Sequence, residues 1–214
     1  MSKTYVIWGC SGHAKVLVSL IKEQGGRVAA FFDNREMPSV SPGVPVYHGE
    51  SGFAEWLKET QNSTSIYGLV AIGGHGGSDR IKIQSLFRVA GLRLDSIVHP
   101  HASVCSTVTL GEGVQVLAQA VVAAESRLGE ACIVNHKASI DHECVLGNGV
   151  HVAPGATICG CVTIGDDVLI GAGAVILPRL RIGHGSIIGA GSVVVKNVAA
   201  ESVVVGNPGK PMRN

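Results

Sequence analysis

Residues 158–194 read ICGCVTIGDDVLIGAGAVILPRLRIGHGSIIGAGSVV, with an aliphatic side chain at every sixth place: Ile158, Ile164, Ile170, Ile176, Ile182, Ile188 and Val194. Traced toward the N-terminus, the register runs unbroken through Val152, Leu146, Ile140, Val134, Leu128, Val122, Val116, Leu110 and Val104 to Val98. Four places after most of these stands a small or β-branched residue, among them Ala102, Val108, Val114, Ala120, Cys132, Ala138, Cys144, Val150, Ala156 and Val162. A helical period of 3.6 or a strand period of 2 does not generate this double register, whereas the hexapeptide repeats of a parallel β-helix do. Three hexads close one triangular coil, and each side chain is then expected to stack on the one three hexads further on. No coil is stable alone, because the next coil pairs its backbone edge and continues its interior column.

Many of the sixth-position aliphatics are followed by glycine, as in Leu110-Gly111, Leu128-Gly129, Leu146-Gly147, Ile164-Gly165, Ile182-Gly183 and Ile188-Gly189. This pattern resembles the left-handed β-helix of the hexapeptide acyltransferases. Without further residues to carry chemistry, such a prism reads as purely structural.

Residues 1–97 follow other rules. Tyr5 to Trp8 is a short apolar strand, followed by the turn Gly9-Cys10-Ser11-Gly12-His13-Ala14-Lys15 and a helix whose apolar face carries Val16, Leu17, Leu20 and Ile21. Val28 to Phe32 reads as a second buried strand ending at Asp33-Asn34, which completes a βαβ unit. Tyr67 to Ile72 is a further strand leading into Gly73-Gly74-His75-Gly76-Gly77 and a helix from Ser78 to about Ala90. A last strand, Arg93 to Val98, leads through His99-Pro100 into the repeats. The expectation is a small Rossmann-like α/β domain over residues 1–97 and a β-helix over 98–214. Glycines after the first strand let backbone N–H groups and the positive end of a helix face a diphosphate, and Asp33 stands where ribose or base hydroxyls are gripped. Gly9-x-x-Gly12 is not the full dinucleotide fingerprint, and a glycine at such a turn also has a purely geometric reading.

Composition excludes several classes. The 214 residues carry 17 Lys and Arg against 16 Asp and Glu, for a formal charge of +1, so neither nucleic acid nor an anionic membrane is an expected partner. The six cysteines show no paired metal-ligand spacing, Cys159-Gly160-Cys161 being too tight for a zinc knuckle, and read as reduced, core-filling residues. Met1-Ser-Lys-Thr and the brief apolar run after it do not make a signal peptide, and no run is long enough to span a membrane. A cytoplasmic protein is expected.

Seven stretches in order, Gly9 to Lys15, Phe32-Asp33-Asn34, Ala71-Ile72-Gly73, Asn135, Asp141-His142-Glu143-Cys144-Val145, His151 to Gly155 and Val205 to Lys210, resemble the sugar O- and N-acetyltransferases. That group includes the bacillosamine- and perosamine-pathway N-acetyltransferases and the sialic acid O-acetyltransferases. The resemblance implies an N-terminal domain that holds a nucleotide-linked amino sugar. It also implies a β-helix that forms homotrimers and binds acetyl-CoA in a groove between neighbouring β-helices. His136-Lys137 departs from the Thr-Gly of many relatives, which leaves the sugar open.

Acyl transfer from a thioester to an amine needs a base and donors for an oxyanion. A neutral imidazole suits the first task, and His142 is the candidate, oriented by Asp141 or Glu143, with the resemblance favouring Glu143. Spacing alone reads His142 equally as a solvent-facing coil residue. Gly160, one coil on, is expected beside His142, its bare backbone N–H facing the thioester oxygen; a glycine needed only for a corner is the other reading. Ser11, Gly12, His13, Asp33, Asn34 and Gly73 are expected to bind the nucleotide sugar, and Asn135 to position substrate or water. His151, Gly160, Ala172, Ala190 and Lys210 are expected along acetyl-CoA. His136 and His142 raise a zinc alternative, as in trimeric β-helical carbonic anhydrases, but that family lacks the separate N-terminal domain, and no metal is expected. The leading expectation is an N-acetyltransferase acting on a nucleotide-linked amino-deoxysugar at its 4-amino group in surface-glycan biosynthesis. An O-acetyltransferase of a sialic-acid-like sugar and a non-enzymatic trimeric scaffold are the alternatives.

Overall fold

The computed structural model describes residues 2–60 and 63–212. The chain divides into two compact units, one of Met1–Ile72 with Lys82–Asp95 and one of Gly73–Ile81 with Ser96–Asn214.

In the first unit, strands β1 (Thr4–Trp8), β2 (Arg27–Asp33), β3 (Val46–His48) and β4 (Ile66–Val70) form a parallel sheet in the order β3-β2-β1-β4. Helix α1 (Gly12–Glu23) connects β1 to β2, α2 (Gly49–Glu59) connects β3 to β4, and α3 (Gly77–Val89) follows β4. Every Phe, Trp and Tyr of the chain lies before residue 88, and they decide what this core is made of. Trp8, Phe32, Phe53, Trp56 and Phe87 are buried together, with Phe32 and Phe53 packed edge to face at 5.0 Å. Such contacts add directional stabilisation to the area they bury. Gly68 belongs to this packing, since a Cβ there would lie 2.4 Å from the Phe87 ring.

Two features differ from the expectation for this part of the chain. The expectation did not include β3 and α2, the latter burying only two large apolar side chains, Phe53 and Trp56. The strand expected from Arg93 to Val98 is broken: Arg93 makes only an isolated parallel bridge to Tyr67, while Ile97–Val98 pairs with Gln115–Val116 in the first coil of the β-helix. Ser96 causes the break, because its hydroxyl donates to Gly111 O at 2.7 Å and accepts the Val114 N–H at 3.2 Å, committing the backbone to the coil.

The second unit is a left-handed parallel β-helix with three faces. Two-residue strands stack at intervals of 18 residues, as Ser139↔Thr157 and Ile140↔Ile158, or His151↔Leu169 and Val152↔Ile170. Both registers seen in the sequence point inward and form one aliphatic column that includes Val134, Ile140, Cys144, Val152, Ile158, Val162 and Ile170. Many corners place their second residue in the left-handed conformation, and where that residue is Glu143 (φ 56°) or Cys161 (φ 61°) it carries a side chain at the corner. At the C-terminal end Val203–Val205 pairs parallel to Ile187–Ile188, and Lys210–Pro211 returns antiparallel along it.

The segment Gly73–Ile81 belongs to this second unit, apart from the chain on either side of it. Gly77 N–H donates to Asp167 Oδ1 at 2.7 Å, and the fully buried Arg80 donates from Nε to Ala131 O at 3.0 Å and from its terminal nitrogen to Gly149 O. A buried guanidinium is tolerated when its N–H groups meet acceptors, and here backbone carbonyls of two successive coils supply them.

The cysteines divide into two groups. Cys10, Cys132 and Cys144 are buried, and burial pushes the Cys132 thiol up to about 12 and the Cys144 thiol to about 11, so both stay protonated. Cys105, Cys159 and Cys161 are only partly buried, so the core-filling expectation does not extend to them.

Candidate active site

His142 and Glu143 share one corner of the β-helix. The left-handed turn at Glu143 brings its carboxylate alongside the preceding imidazole, with Oε2 2.9 Å from Nδ1. Asp141 is used differently, its Oδ1 accepting the backbone N–H of His142 at 2.8 Å. The side chain that faces the imidazole is therefore Glu143. Its carboxyl is held below the usual carboxylate range, chiefly by the hydrogen bond to His142, with help from the Cys161 thiol and the nearby charge of Arg179. An ionised carboxylate only accepts, so Nδ1 carries the proton of the neutral ring and Nε2 keeps its lone pair.

Nε2 lies against Gly160. A Cβ on Gly160 would come within 2.5 Å of Nε2 and 2.7 Å of Cε1, so the ring occupies the space that any other residue would fill. The Gly160 carbonyl accepts the Arg179 N–H at 3.0 Å, while among the described residues its own N–H donates to no carbonyl. His142 is half exposed, its side chain at 51%, and the buried Gly160 beneath it keeps an uncommitted backbone donor close to a basic nitrogen.

His151, expected along acetyl-CoA, also bridges two parts of the second unit. Its side chain is buried, Nε2 lies 3.2 Å from Asn135 Nδ2, and Nδ1 lies 2.9 Å from Gly74 N and 3.2 Å from Gly74 O. Both ring nitrogens thus face protein atoms, and the ring links Asn135 to the Gly73–Ile81 segment. Asn135 Oδ1 accepts the His136 backbone N–H at 2.8 Å, which turns its amide nitrogen toward His151. Burial, then the proximity of His99, lowers the His136 pKa.

Ala172 and Ala190 stack on successive coils and are exposed, the Gly191 N–H donating to Ala172 O at 2.8 Å. They follow the face that contains Leu169–Ile170, whereas His142 and Gly160 follow the face that contains Ser139–Ile140. The two pairs accordingly occupy different corners of one subunit. Lys210 is exposed on the terminal antiparallel strand.

In the first unit, Ser11 is the N-cap of α1 without a side-chain cap bond, and no acidic residue lies in the helix's first turn. A Cβ on Gly12 would meet nothing within 4 Å, whereas one on Gly9 (φ 104°) would press on Ala71 O at 2.7 Å. Gly9 is thus required by the fold, and Gly12 leaves an open approach to the helix N-terminus. Asp33, expected at the nucleotide sugar, is engaged within its own unit. Its Oδ2 accepts the Cys10 N–H at 2.9 Å and its Oδ1 accepts the Arg35 N–H at 3.0 Å and Nε–H at 3.1 Å. Burial raises its pKa, but these bonds outweigh that and leave the carboxyl below its usual range. Asp33 therefore holds the glycine turn in shape, with His13 beside that turn and the exposed Asn34 next to Asp33. Gly73 is exposed and, with Asn135, belongs to the second unit.

Sequence reasoning missed Arg80 and Cys161. Arg80 reads as an ordinary helix-surface cation, and only its contacts with Ala131 and Gly149 show otherwise. Cys161 stands three hexads and one residue after His142, a spacing that already put it at the same corner.

Residues 5–83 match the PglD N-terminal domain family, and residues 161–196 match the bacterial transferase hexapeptide family of six repeats. Among solved structures, a variant of perosamine N-acetyltransferase from Caulobacter crescentus, in complex with CoA and GDP-perosamine, is similar at 33% identity and a TM-score of 0.90, over 99% of this chain and 97% of that one. The acetyltransferase domain of PglB from Neisseria gonorrhoeae FA1090, in complex with acetyl coenzyme A, is 32% identical with a TM-score of 0.88, over 99% of this chain and all of that one. WeeI from Acinetobacter baumannii AYE is 27% identical with a TM-score of 0.86, over 98% and 99% of the two chains. No curated protein matches the sequence.

Proposed function

As the chain belongs to the hexapeptide-repeat sugar acetyltransferases, we propose that it transfers the acetyl group of acetyl-CoA to the 4-amino group of a nucleotide-linked amino-deoxysugar, in the cytoplasm, as a step in surface-glycan synthesis. The observation that carries this reading is the His142–Glu143 pair, with Nδ1 bound to the carboxylate and Nε2 turned to the bare backbone of Gly160.

In this mechanism Nε2 of His142 removes the proton as the amine attacks the thioester carbonyl. Glu143 fixes the tautomer and stabilises the imidazolium that forms. The Gly160 N–H, which has no other acceptor among the described residues, donates to the developing oxyanion, and the missing side chain admits the thioester. Collapse of the tetrahedral intermediate breaks the carbon–sulfur bond, and the leaving CoA thiolate takes the proton held on Nε2 of His142, which restores the neutral imidazole. Asn135 and His151 hold the Gly73–Ile81 segment. The diphosphate of the nucleotide sugar lies at the N-terminus of α1, where Ser11, Gly12 and His13 provide a helix end with no acidic residue in its first turn.

The separation of Ala172 and Ala190 from the His142 corner within one chain supports a site completed by a second copy. A closed homotrimer places the exposed alanine corner of one subunit toward the base of the next, so that the pantetheine arm runs between subunits and Lys210 meets a CoA phosphate. Light scattering is expected to give three chains per particle, with activity lost on dilution to the monomer; a fully active monomer overturns the shared site.

The reaction itself is tested by following CoA release with UDP- and GDP-linked 4-amino sugars, and Gly12→Val separates the two ligand sites. A branched side chain at the helix N-terminus is expected to weaken nucleotide-sugar binding at least tenfold and to leave CoA binding within twofold, by calorimetry. Transfer to a sialic-acid-like hydroxyl in place of every nucleotide amino sugar refutes the amine reading, and a Gly12→Val variant that loses CoA while keeping the sugar refutes the division of labour.

A further inference from the structure

We propose that His142, Glu143 and Cys161 form a binding site for a thiophilic divalent cation, Zn²⁺ foremost, and that its occupation disables the base. The three side chains offer one nitrogen, one oxygen and one sulfur, all within 4.8 Å of one another. Nδ1 of His142 lies 2.9 Å and Sγ of Cys161 lies 3.7 Å from the same Glu143 oxygen. A tetrahedral zinc ion with bonds of about 2.0–2.3 Å spaces its ligand atoms about 3.3–3.6 Å apart. Reaching that geometry requires His142 and Glu143 to part by a few tenths of an ångström and separations of up to 4.8 Å to close by as much as about 1.5 Å, a movement open to side chains at an exposed corner.

The fold produces this grouping. Glu143 and Cys161 occupy equivalent places on successive coils, both in the left-handed conformation, so both side chains leave the same corner. In the single chain His142 and Glu143 are more than half exposed and Cys161 is partly exposed, and in the proposed trimer the groove that admits the pantetheine arm gives an ion its path and a water its place as fourth ligand. A single carboxylate with an imidazole and a thiolate is a poor set for Mg²⁺ or Ca²⁺, which require mostly oxygen, and a good one for Zn²⁺. Arg179, next on the same corner, opposes any incoming cation, so affinity must come from the sulfur and nitrogen bonds and not from general negative charge.

Binding releases one proton, from the Cys161 thiol, and the affinity therefore rises with pH. The imidazole keeps one proton, but coordination at Nδ1 confines it to Nε2. That nitrogen can then accept nothing from an amine. Metal binding stands on the three side chains alone, while the loss of activity rests on His142 being the base.

The test uses the full-length reduced protein and Co²⁺ as a spectroscopic stand-in. One Co²⁺ per chain is expected to bind with a thiolate-to-cobalt charge-transfer band, to be displaced by Zn²⁺, and to lose that band in Cys161→Ser but not in Cys159→Ser. In the transfer assay Zn²⁺ is expected to inhibit, and Cys161→Ser to raise the half-inhibitory concentration at least tenfold relative to its own metal-free rate. A band that survives in Cys161→Ser, or the absence of any band in the wild-type protein, overturns the site. A chain that shows the band and loses it in Cys161→Ser, yet keeps its full rate with zinc bound, sustains the site and overturns His142 as the base.

Discussion

His142→Ala is expected to lower kcat by about 10²- to 10⁴-fold, the usual worth of a general base, with little change in KM for acetyl-CoA. Proton removal belongs to the transition state, so its loss falls on turnover. The ring is half exposed, so its removal is not expected to unfold the coil. Glu143→Ala is expected to cost less, because it removes the group that fixes the tautomer and leaves the nitrogen that does the work. The depressed Glu143 carboxyl adds a pH statement whose sign is fixed. A carboxyl whose pKa is lower in the folded chain keeps its charge to lower pH than the ordinary value of about 4.3, and its bond to His142 is lost only as pH falls through that lower folded value. A loss of activity centred above about pH 4.3 is thus not the titration of Glu143. Steady-state kinetics with saturating substrates decides the main point: near wild-type turnover in His142→Ala removes the mechanism.

Gly160→Val is expected to be at least as damaging to turnover, by about 10²-fold or more, for two reasons that act together. Even the first carbon of the new side chain would stand 2.5 Å from Nε2, far inside contact distance, so the imidazole must swing away from its position beside Glu143. The branched group also blocks the approach to the backbone N–H. The effect is not confined to acetyl-CoA affinity, as a reading of Gly160 as a cofactor-groove residue alone would have it. The stabilities of Gly160→Ala and Gly160→Val, measured by denaturant unfolding, separate a lost site from a lost coil. A Gly160→Val protein that is folded and turns over normally removes both roles assigned to this glycine.

The β-helix was legible almost residue for residue, because its period is written by side chains that must fill a narrow aliphatic column, as Ile140, Ile158 and Ile176 do. The stacking of Gly160 on His142 followed from the same arithmetic. The choice between Asp141 and Glu143 was not legible, since it depends on a left-handed φ at residue 143, a conformation that glutamate does not announce. In the first unit, α2 escaped notice because its apolar positions, Phe53 and Trp56, are few and its N-cap, His48, makes no side-chain cap bond. The contacts of Asp33 and Arg80 were hidden for a related reason. Each satisfies backbone groups far away in sequence, Asp33 the N–H of Cys10 and Arg80 the carbonyls of Ala131 and Gly149, and no local pattern records such a debt.

The stacking interval of 18 residues also governs how this chain can change length. Gain or loss of a single hexad turns everything downstream by a third of a revolution, so a deletion of six residues between His142 and Gly160 would carry Gly160 to another corner while leaving the aliphatic column intact. Only whole coils can be added or removed without parting the imidazole from its glycine. Insertions and deletions in a lineage of such enzymes are thus filtered twice, in sixes by the interior and in eighteens by the chemistry.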